Sequence, residues 1–151
     1  SVPALLRHVR AAEQEGVANK VLFPGMLHGR QRIEALVDAD LFVMPSYVEN
    51  FGVSALEALA SATPAVLSEG VNLAEELRDQ NLATVTPLTV ESISSAMASV
   101  LADRFACADR ANDARGHVMA RYDWTAIARR WGERYEKARA TGSPGTEGRT
   151  R

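Results

Sequence analysis

The chain has 151 residues, of which 46% are apolar and 24% charged, a balance typical of one globular domain with a full core and not of a disordered or fibrous chain. Seventeen basic against nineteen acidic residues give a formal charge of -2, so no positive field favours nucleic acid or anionic lipid as a partner. The single cysteine excludes an intrachain disulfide, and a reducing, cytoplasmic location is the simplest expectation.

The first part of the chain alternates between helical and extended patterns. Apolar residues at helical spacing predict a helix over residues 3–15, which Gly16 ends. Residues 20–23 are rich in Val, Leu and Phe and predict a short strand. A second helix is predicted around residues 33–37, where the apolar side chains share one face.

Short apolar strands then recur at regular intervals. Residues 41–44 are apolar without alternation, so a strand there is buried on both faces. Helices at about 52–61 and 73–79 and strands at 65–68 and 82–86 continue the rhythm. This alternation predicts an α/β fold: a Rossmann-like parallel sheet of about four strands with helices on both faces.

Helix caps are predicted at two further positions. Thr89 is placed to cap the helix that follows it. Asn72 with Glu75 fits a capping box, which favours a structural role for Glu75 over a catalytic one.

The carboxyl-terminal part is helical and ends in a polar tail. A weak helical pattern covers residues 104–117, and a last helix starts near Asp123 or Thr125. We expect its apolar stripe to pack against a neighbouring surface. The stripe consists of Ile127, Trp131 and Tyr135. Residues 141–151 are polar and rich in Gly, and they predict a disordered tail.

The most informative segment covers residues 45–64, between the carboxyl end of a buried strand and the next helix, where open α/β sheets bind ligands. Gly52 opens that helix and permits close backbone approach. The N–H groups of Gly52, Val53 and Ser54 are expected to point unpaired toward the cleft and to attract phosphate. Taken alone, a tight turn is the simpler explanation of Gly52.

Two carboxylates add a second signal. Glu49 lies in the loop before the helix, and Glu57 lies inside it among apolar neighbours. The Glu57 side chain tilts back toward the same cleft, where it could accept two hydrogen bonds from a vicinal diol such as a ribose. The alternative is that Glu57 caps or pairs locally with Arg30 or Arg32, or emerges at a helix edge.

No metal or organic cofactor is predicted. The three histidines lie on different elements, which argues against a shared metal ion. They are His8, His28 and His117. Cys107 has no visible histidine partner and is predicted to be inert.

Several short motifs occur in the order and spacing of a known enzyme family. Glu49 and Glu57, with the sequence ENFG at 49–52, closely resemble the E-x7-E signature of retaining glycosyltransferases of family 4, the glycosyl transferases group 1, which have the GT-B fold. Further matches are VLFPG at 21–25, DLFVMPS at 40–46 and YDW at 122–124. The resemblance covers residues 3–138, and its ENFG form is similar to that of bacterial polysaccharide enzymes.

The resemblance implies roles for individual residues around the helix. Glu57 would bind the nucleotide ribose, and the N–H groups of Gly52 and Val53 would meet the diphosphate. Phe51, in the same motif, is included among the donor-binding residues.

The resemblance also implies contacts with the sugar and the base. Glu49 would hydrogen-bond the donor sugar at the reacting face, as the catalytic residue. Leu27 would lie by the nucleobase, with Arg32 as a further base or phosphate contact. Charge that develops on the leaving diphosphate would be stabilised by the helix dipole and backbone donors without a metal.

The chain departs from the family pattern in two places. Ala62 stands where the family usually has glycine. No segment resembles the family's diphosphate-binding Gly-Arg and Lys-Gly pair, so residues 1–140 are expected to form a nucleotide-sugar-binding domain truncated at its start. The amino-terminal, acceptor-binding lobe is expected to be missing.

The sequence therefore predicts the donor-binding half of a glycosyltransferase that moves a sugar from a nucleoside diphosphate sugar to a glycan, lipid or small acceptor, inactive as this fragment alone. Peripheral association of the full enzyme with the cytosolic face of a membrane is left open. One alternative is a non-enzymatic nucleotide-binding or partner-binding module. A receiver-like signalling domain is poorly supported, because Asp38 and Asp40 precede a strand.

The family's strand order, 3-2-1-4-5-6, would make residues 20–23 the third strand and residues 41–44 the fourth. The two strands between them are expected to be absent. We therefore expect a chain of reduced stability in which these two strands pair directly or the gap stays open.

Overall fold

The computed structural model describes residues 2–141, apart from the side chains of residues 2–4 and 104. The chain divides into two units, residues 1–32 and residues 33–151. The predicted tail lies outside the described residues except for Thr141. The single domain predicted over residues 1–140 stays a prediction.

The first unit begins with the expected helix. Helix α1 (Val2–Gln14) is followed by Gly16, whose φ of +67° is the left-handed conformation that ends many helices. A short 3-10 helix, Ala18–Lys20, comes next. The strand predicted at 20–23 is wrong, because no strand forms there and Leu22 is 83% exposed. An apolar run becomes a strand only where a neighbour completes its hydrogen-bond ladder.

The second unit contains a parallel sheet in the order β1-β2-β3. Its strands are β1 (Phe42–Met44), β2 (Ala65–Ser68) and β3 (Thr84–Thr86). The register pairs Val43 with Val66 and Leu67 with Val85. The predicted parallel α/β fold is confirmed with three strands instead of four. Among the described residues β1 is an edge strand that pairs with β2 alone, so the pairing considered between residues 20–23 and 41–44 does not form.

Six further helices surround or extend this sheet. They are α2 (Arg30–Asp38), α3 (Val53–Ala60), α4 (Ala74–Asp79), α5 (Val90–Ala102), α6 (Arg104–Tyr122) and α7 (Trp124–Ala140). Helix α6 continues one and a half turns beyond its predicted end. No helix within residues 2–141 is both long and apolar enough to cross a bilayer.

The structure confirms the predicted cap at Thr89 and the predicted helix start at Asp123. The Thr89 hydroxyl accepts the Ser92 N–H at 3.1 Å, and the Asp123 carboxylate accepts the Thr125 N–H at 2.7 Å. The capping box is wrong, because Leu73 is the N-cap of α4 and no side chain bonds there. The Asn72 side chain instead reaches the loop after β1.

Only β2 is buried along its whole length, whereas β1 and most of β3 are half-buried. The burial predicted for residues 41–44 is therefore confirmed only in part, because β1 is an edge strand among the described residues. Leu67 of β2 packs in the larger core cluster with residues of α3, α4 and α6. Its neighbour Val66 faces the other way and packs with Val100 of α5 and Cys107 of α6. Helices therefore cover both faces, and the loops that follow the strands meet at one edge.

The apolar stripe of α7 lies outside this core. Trp131 and Tyr135 are 53% and 67% exposed. Ile127 is half-buried, so the packing predicted for the stripe is made at that residue and not at Trp131 and Tyr135.

Candidate functional site

The candidate site begins at the carboxyl end of β1. Gly52 is buried and has a φ of +75°, which an L side chain adopts only with strain. A Cβ atom on Gly52 would also lie 3.1 Å from Val71 Cγ1. The chain turns here into α3, whose first N–H groups face away from their own helix.

The Glu49 carboxylate closes this turn. Its Oε1 accepts hydrogen bonds from the N–H groups of Phe51 and Gly52, each at 3.2 Å. The prediction that the Gly52 N–H is unpaired is therefore wrong, because a carboxylate three residues earlier reaches it. The N–H groups of Val53 and Ser54 have no acceptor among the described residues, as expected for the first turn of a helix.

The last residue of β2 and the segment after it hold the loop that follows β1, a role that the sequence did not predict. The Ser46 N–H donates to Ser68 Oγ at 2.9 Å, and Ser68 Oγ lies 2.6 Å from Ser46 O. The Glu49 N–H donates to Gly70 O at 2.9 Å. Because carboxyl ends of parallel strands share one edge, the residues after 65–68 could have been assigned to this site from sequence.

Gly70 is the tightest contact in this support. A Cβ atom there would lie 2.3 Å from Tyr47 O and 2.6 Å from Ser46 O. Both atoms belong to backbone and cannot rotate away. The loop that carries Glu49 therefore rests directly on the Gly70 backbone.

Asn72 completes the support. Its backbone N–H donates to Glu49 O at 3.0 Å, and its side-chain Nδ2 donates to Asn50 O at 2.9 Å. The side chain that was predicted to cap α4 thus ties two loops together. Both loops lie at the carboxyl edge of the sheet.

Glu57 lies one turn into α3 and is half-buried. It lines a cleft of about 430 Å³ together with Phe51 and Val53, so the structure brings these three predicted residues together. Tyr122 and the 82% exposed Trp124 form part of the opposite wall. The lining of the cleft is largely apolar, with Glu57 and Asp123 as its acidic residues.

A polar cluster around Glu76 contacts Tyr122, one of the residues that line the cleft. Glu76 of α4 accepts hydrogen bonds from Arg121 at 3.1 Å and from the Tyr122 hydroxyl at 3.2 Å, and it lies 3.2 Å from His117 Nε2. The Tyr122 ring meets Phe51 edge-on, with 5.9 Å between centroids. Burial, followed by the charge of Glu76, raises the pKa of the Tyr122 hydroxyl.

The two remaining predicted contacts lie in the first unit. Leu27 is half-buried, and Arg32 is exposed on the first turn of α2. Their contacts with a base or phosphate stay predictions. Within residues 2–141 no three side chains of metal-ligating type come together.

Comparison with known proteins gives a consistent result. The family described as "Glycosyl transferases group 1" matches residues 5–117. An uncharacterized glycosyltransferase of Methanocaldococcus jannaschii is 36% identical over 117 residues, which are 77% of this chain and 30% of the relative. A glycogen synthase of Mycobacterium tuberculosis is 35% identical over 118 residues, 78% of this chain and 28% of the relative.

A solved structure shares the fold. The chain is similar to sucrose-phosphate synthase from Thermosynechococcus elongatus, with a TM-score of 0.78 and 25% identity over 92% of this chain and 35% of that one. The chain thus spans about a third or less of the length of these relatives.

Proposed function

Because the chain belongs to the glycosyl transferases group 1 family, we propose that it is the donor-binding half of an enzyme that transfers a sugar from a nucleoside diphosphate sugar to a glycan, lipid or small acceptor. We propose that transfer retains the anomeric configuration, as the E-x7-E resemblance implies. The acceptor side of the reaction is assigned to an amino-terminal lobe, so this fragment alone is inactive.

One observation carries the proposal: the N-terminus of α3 and the Glu57 carboxylate lie on the same short helix at the carboxyl edge of the sheet. The N–H groups of Val53 and Ser54 provide donors for a diphosphate. Glu57 provides two acceptor oxygens for the ribose diol. A nucleoside diphosphate presents these two groups a few bonds apart.

The same arrangement suits the leaving group. As the bond between the anomeric carbon and the diphosphate breaks, negative charge grows on the phosphate oxygens. Preorganised N–H groups stabilise that charge without a metal or cofactor. Glu49 would contact the donor sugar through Oε2, because its Oε1 accepts the Phe51 and Gly52 N–H groups. Leu27 and Arg32 complete the proposal as base or phosphate contacts, on the support of the resemblance alone.

Calorimetry with UDP, GDP and ADP tests the donor site in the full-length protein. We expect one of the three nucleotides to bind, and Glu57→Gln to weaken it by about 1–3 kcal/mol through loss of charge-assisted hydrogen bonds. The matched control, Glu133→Gln on exposed α7, should bind normally. Equal affinity of the wild type and Glu57→Gln would refute the ribose assignment. Nucleotide binding without sugar transfer or hydrolysis would favour a non-enzymatic module.

A further inference from the structure

We infer that Asn72 is a positioning residue for Glu49, an inference that rests on the proposed role of Glu49 at the donor sugar. Asn72 is not among the residues that line the cleft around Glu57. It acts through the peptide group between Asn50 and Phe51.

Hydrogen bonds hold both the carbonyl and the N–H of that peptide group. At its carbonyl end Asn50 O accepts a hydrogen bond from Asn72 Nδ2 at 2.9 Å. At its amide end the Phe51 N–H donates to Glu49 Oε1 at 3.2 Å. A trans peptide is planar, with its C=O and N–H on opposite sides, so fixing one end aims the other. Asn72 thereby aims the Phe51 N–H at the Glu49 carboxylate.

The remaining contacts leave this peptide as the adjustable part of the loop. The N–H and C=O of Glu49 are held by backbone bonds to Gly70 and Asn72, at 2.9 and 3.0 Å. These two bonds are made by backbone atoms, so they survive any substitution of the Asn72 side chain except proline. The Nδ2 bond is the one of the three that a single side-chain change removes.

The chemistry of Asn72 fits this role. A carbonyl oxygen only accepts, so the group that faces Asn50 O is the amide nitrogen. Asn72→Asp keeps the shape of the side chain but replaces the donor with an acceptor that repels the carbonyl. Asn72→Ala removes the contact altogether. Both variants should free the peptide to rotate and spread the positions of the Glu49 carboxylate.

Hydrogen exchange on this chain tests the geometry without any ligand. In Asn72→Ala and Asn72→Asp we expect the Phe51 and Gly52 amides to exchange about tenfold faster, with the amides of β2 unchanged. The matched control, Asn112→Ala at an exposed position of α6, should leave the Phe51 and Gly52 amides as they are. Unchanged exchange of these two amides in both Asn72 variants would overturn the inference.

A double-mutant cycle in the full-length protein tests the effect on catalysis, with sugar release from UDP-glucose, GDP-mannose or ADP-glucose as the assay. We expect Asn72→Ala to lower kcat about tenfold with little change in the donor KM, because a misplaced contact at the reacting sugar affects the transition state most. In a Glu49→Gln background the same substitution should change kcat less than about twofold, since the residue it positions is gone.

The possible outcomes distinguish the positioning role of Asn72 from the proposed role of Glu49. A full effect of Asn72→Ala in both backgrounds would overturn the positioning role and leave Glu49 in place. No effect of Glu49→Gln on kcat would instead overturn the proposed role of Glu49. Faster exchange with unchanged kcat in Asn72→Ala would show that Asn72 orders the loop without positioning a catalytic group.

Discussion

The Glu49 carboxylate accepts the N–H of Gly52, the residue that opens α3, at 3.2 Å. A negative group thus already occupies one donor of the helix N-terminus that is proposed to receive a diphosphate. Because a phosphate and a carboxylate compete for the same kind of donor, diphosphate binding and the Glu49 contact oppose each other. A phosphate that takes the Gly52 N–H would leave Glu49 held by the Phe51 N–H, with Oε2 left for the donor sugar.

This competition predicts that Glu49→Gln binds a nucleoside diphosphate without sugar more tightly than the wild type does. Removing a negative charge near a helix N-terminus changes the binding free energy by about 0.3–1 kcal/mol, or roughly twofold to fivefold in affinity. Titration calorimetry with UDP, GDP or ADP in the full-length protein measures it, with Glu133→Gln as the matched control. An affinity that falls in Glu49→Gln would contradict the competition.

Gly70→Ala should destabilise the fold by about 3 kcal/mol, the upper end for overpacking, because the new Cβ atom would lie 2.3 Å from Tyr47 O. Gly116→Ala is the matched control, since nothing lies within 4 Å of a Cβ atom there and Gly116 is inside α6. That control should gain about 0.5–1 kcal/mol from helix propensity. Urea unfolding measures both, and a tolerated Gly70→Ala would show that the loop does not rest on Gly70.

The helices and buried strands were predictable because their patterns are local and repeat with the right period. The starts at Thr89 and Asp123 each have a single physical explanation, and the structure confirms both. The unalternating run at 41–44 forms a strand as predicted, but that strand is half-buried because it lies at the edge of the sheet. The run at 20–23 has a strand's composition, yet strand formation depends on a partner elsewhere in the chain. Composition alone contains no information about that partner.

The site was predictable in its residues and only partly in its contacts. Motif spacing placed Glu57, Phe51 and Val53 near one another, and the cleft contains all three. The pairing of Glu49 with the Gly52 N–H depends on the side-chain torsions of Glu49, which no sequence pattern reports. The sequence predicted Asn72 as part of a capping box for the helix that follows it. The same side chain can also bond to a neighbouring loop, and sequence spacing does not distinguish the two contacts.

Ala62→Gly should stabilise the chain. Ala62 has a φ of +58° and follows α3 in a Schellman motif, in which the Thr63 N–H donates to Ala58 O at 2.9 Å. Glycine relieves about 1–2 kcal/mol of left-handed strain and costs about 0.4–1 kcal/mol of chain entropy, so we expect a net gain of about 0.5–1 kcal/mol. Asn81→Gly is the comparison, since Asn81 has a φ of +55° but tolerates that conformation better. Thermal unfolding should rank Ala62→Gly above Asn81→Gly, and the reverse order would contradict the strain.

The Tyr122 hydroxyl should ionise at a higher pH than an ordinary tyrosine does. Burial first, and then the charge of Glu76, raises the pKa of its hydroxyl above the ordinary value of 10.0. The native state therefore favours the neutral phenol, and the stability gained from it is complete below pH 10.0 and is lost as the pH rises through the raised pKa.

Ultraviolet absorbance of tyrosinate in the wild type and in Tyr122→Phe assigns the late component, the part of the absorbance change that occurs at the highest pH. This component should vanish in the variant. Glu76→Gln should move that component to lower pH because one cause of the shift is removed. Arg121→Gln should move it to higher pH, because the charge of Arg121 lowers this pKa. A late component that ignores both substitutions would show that the polar cluster around Glu76 does not form in solution.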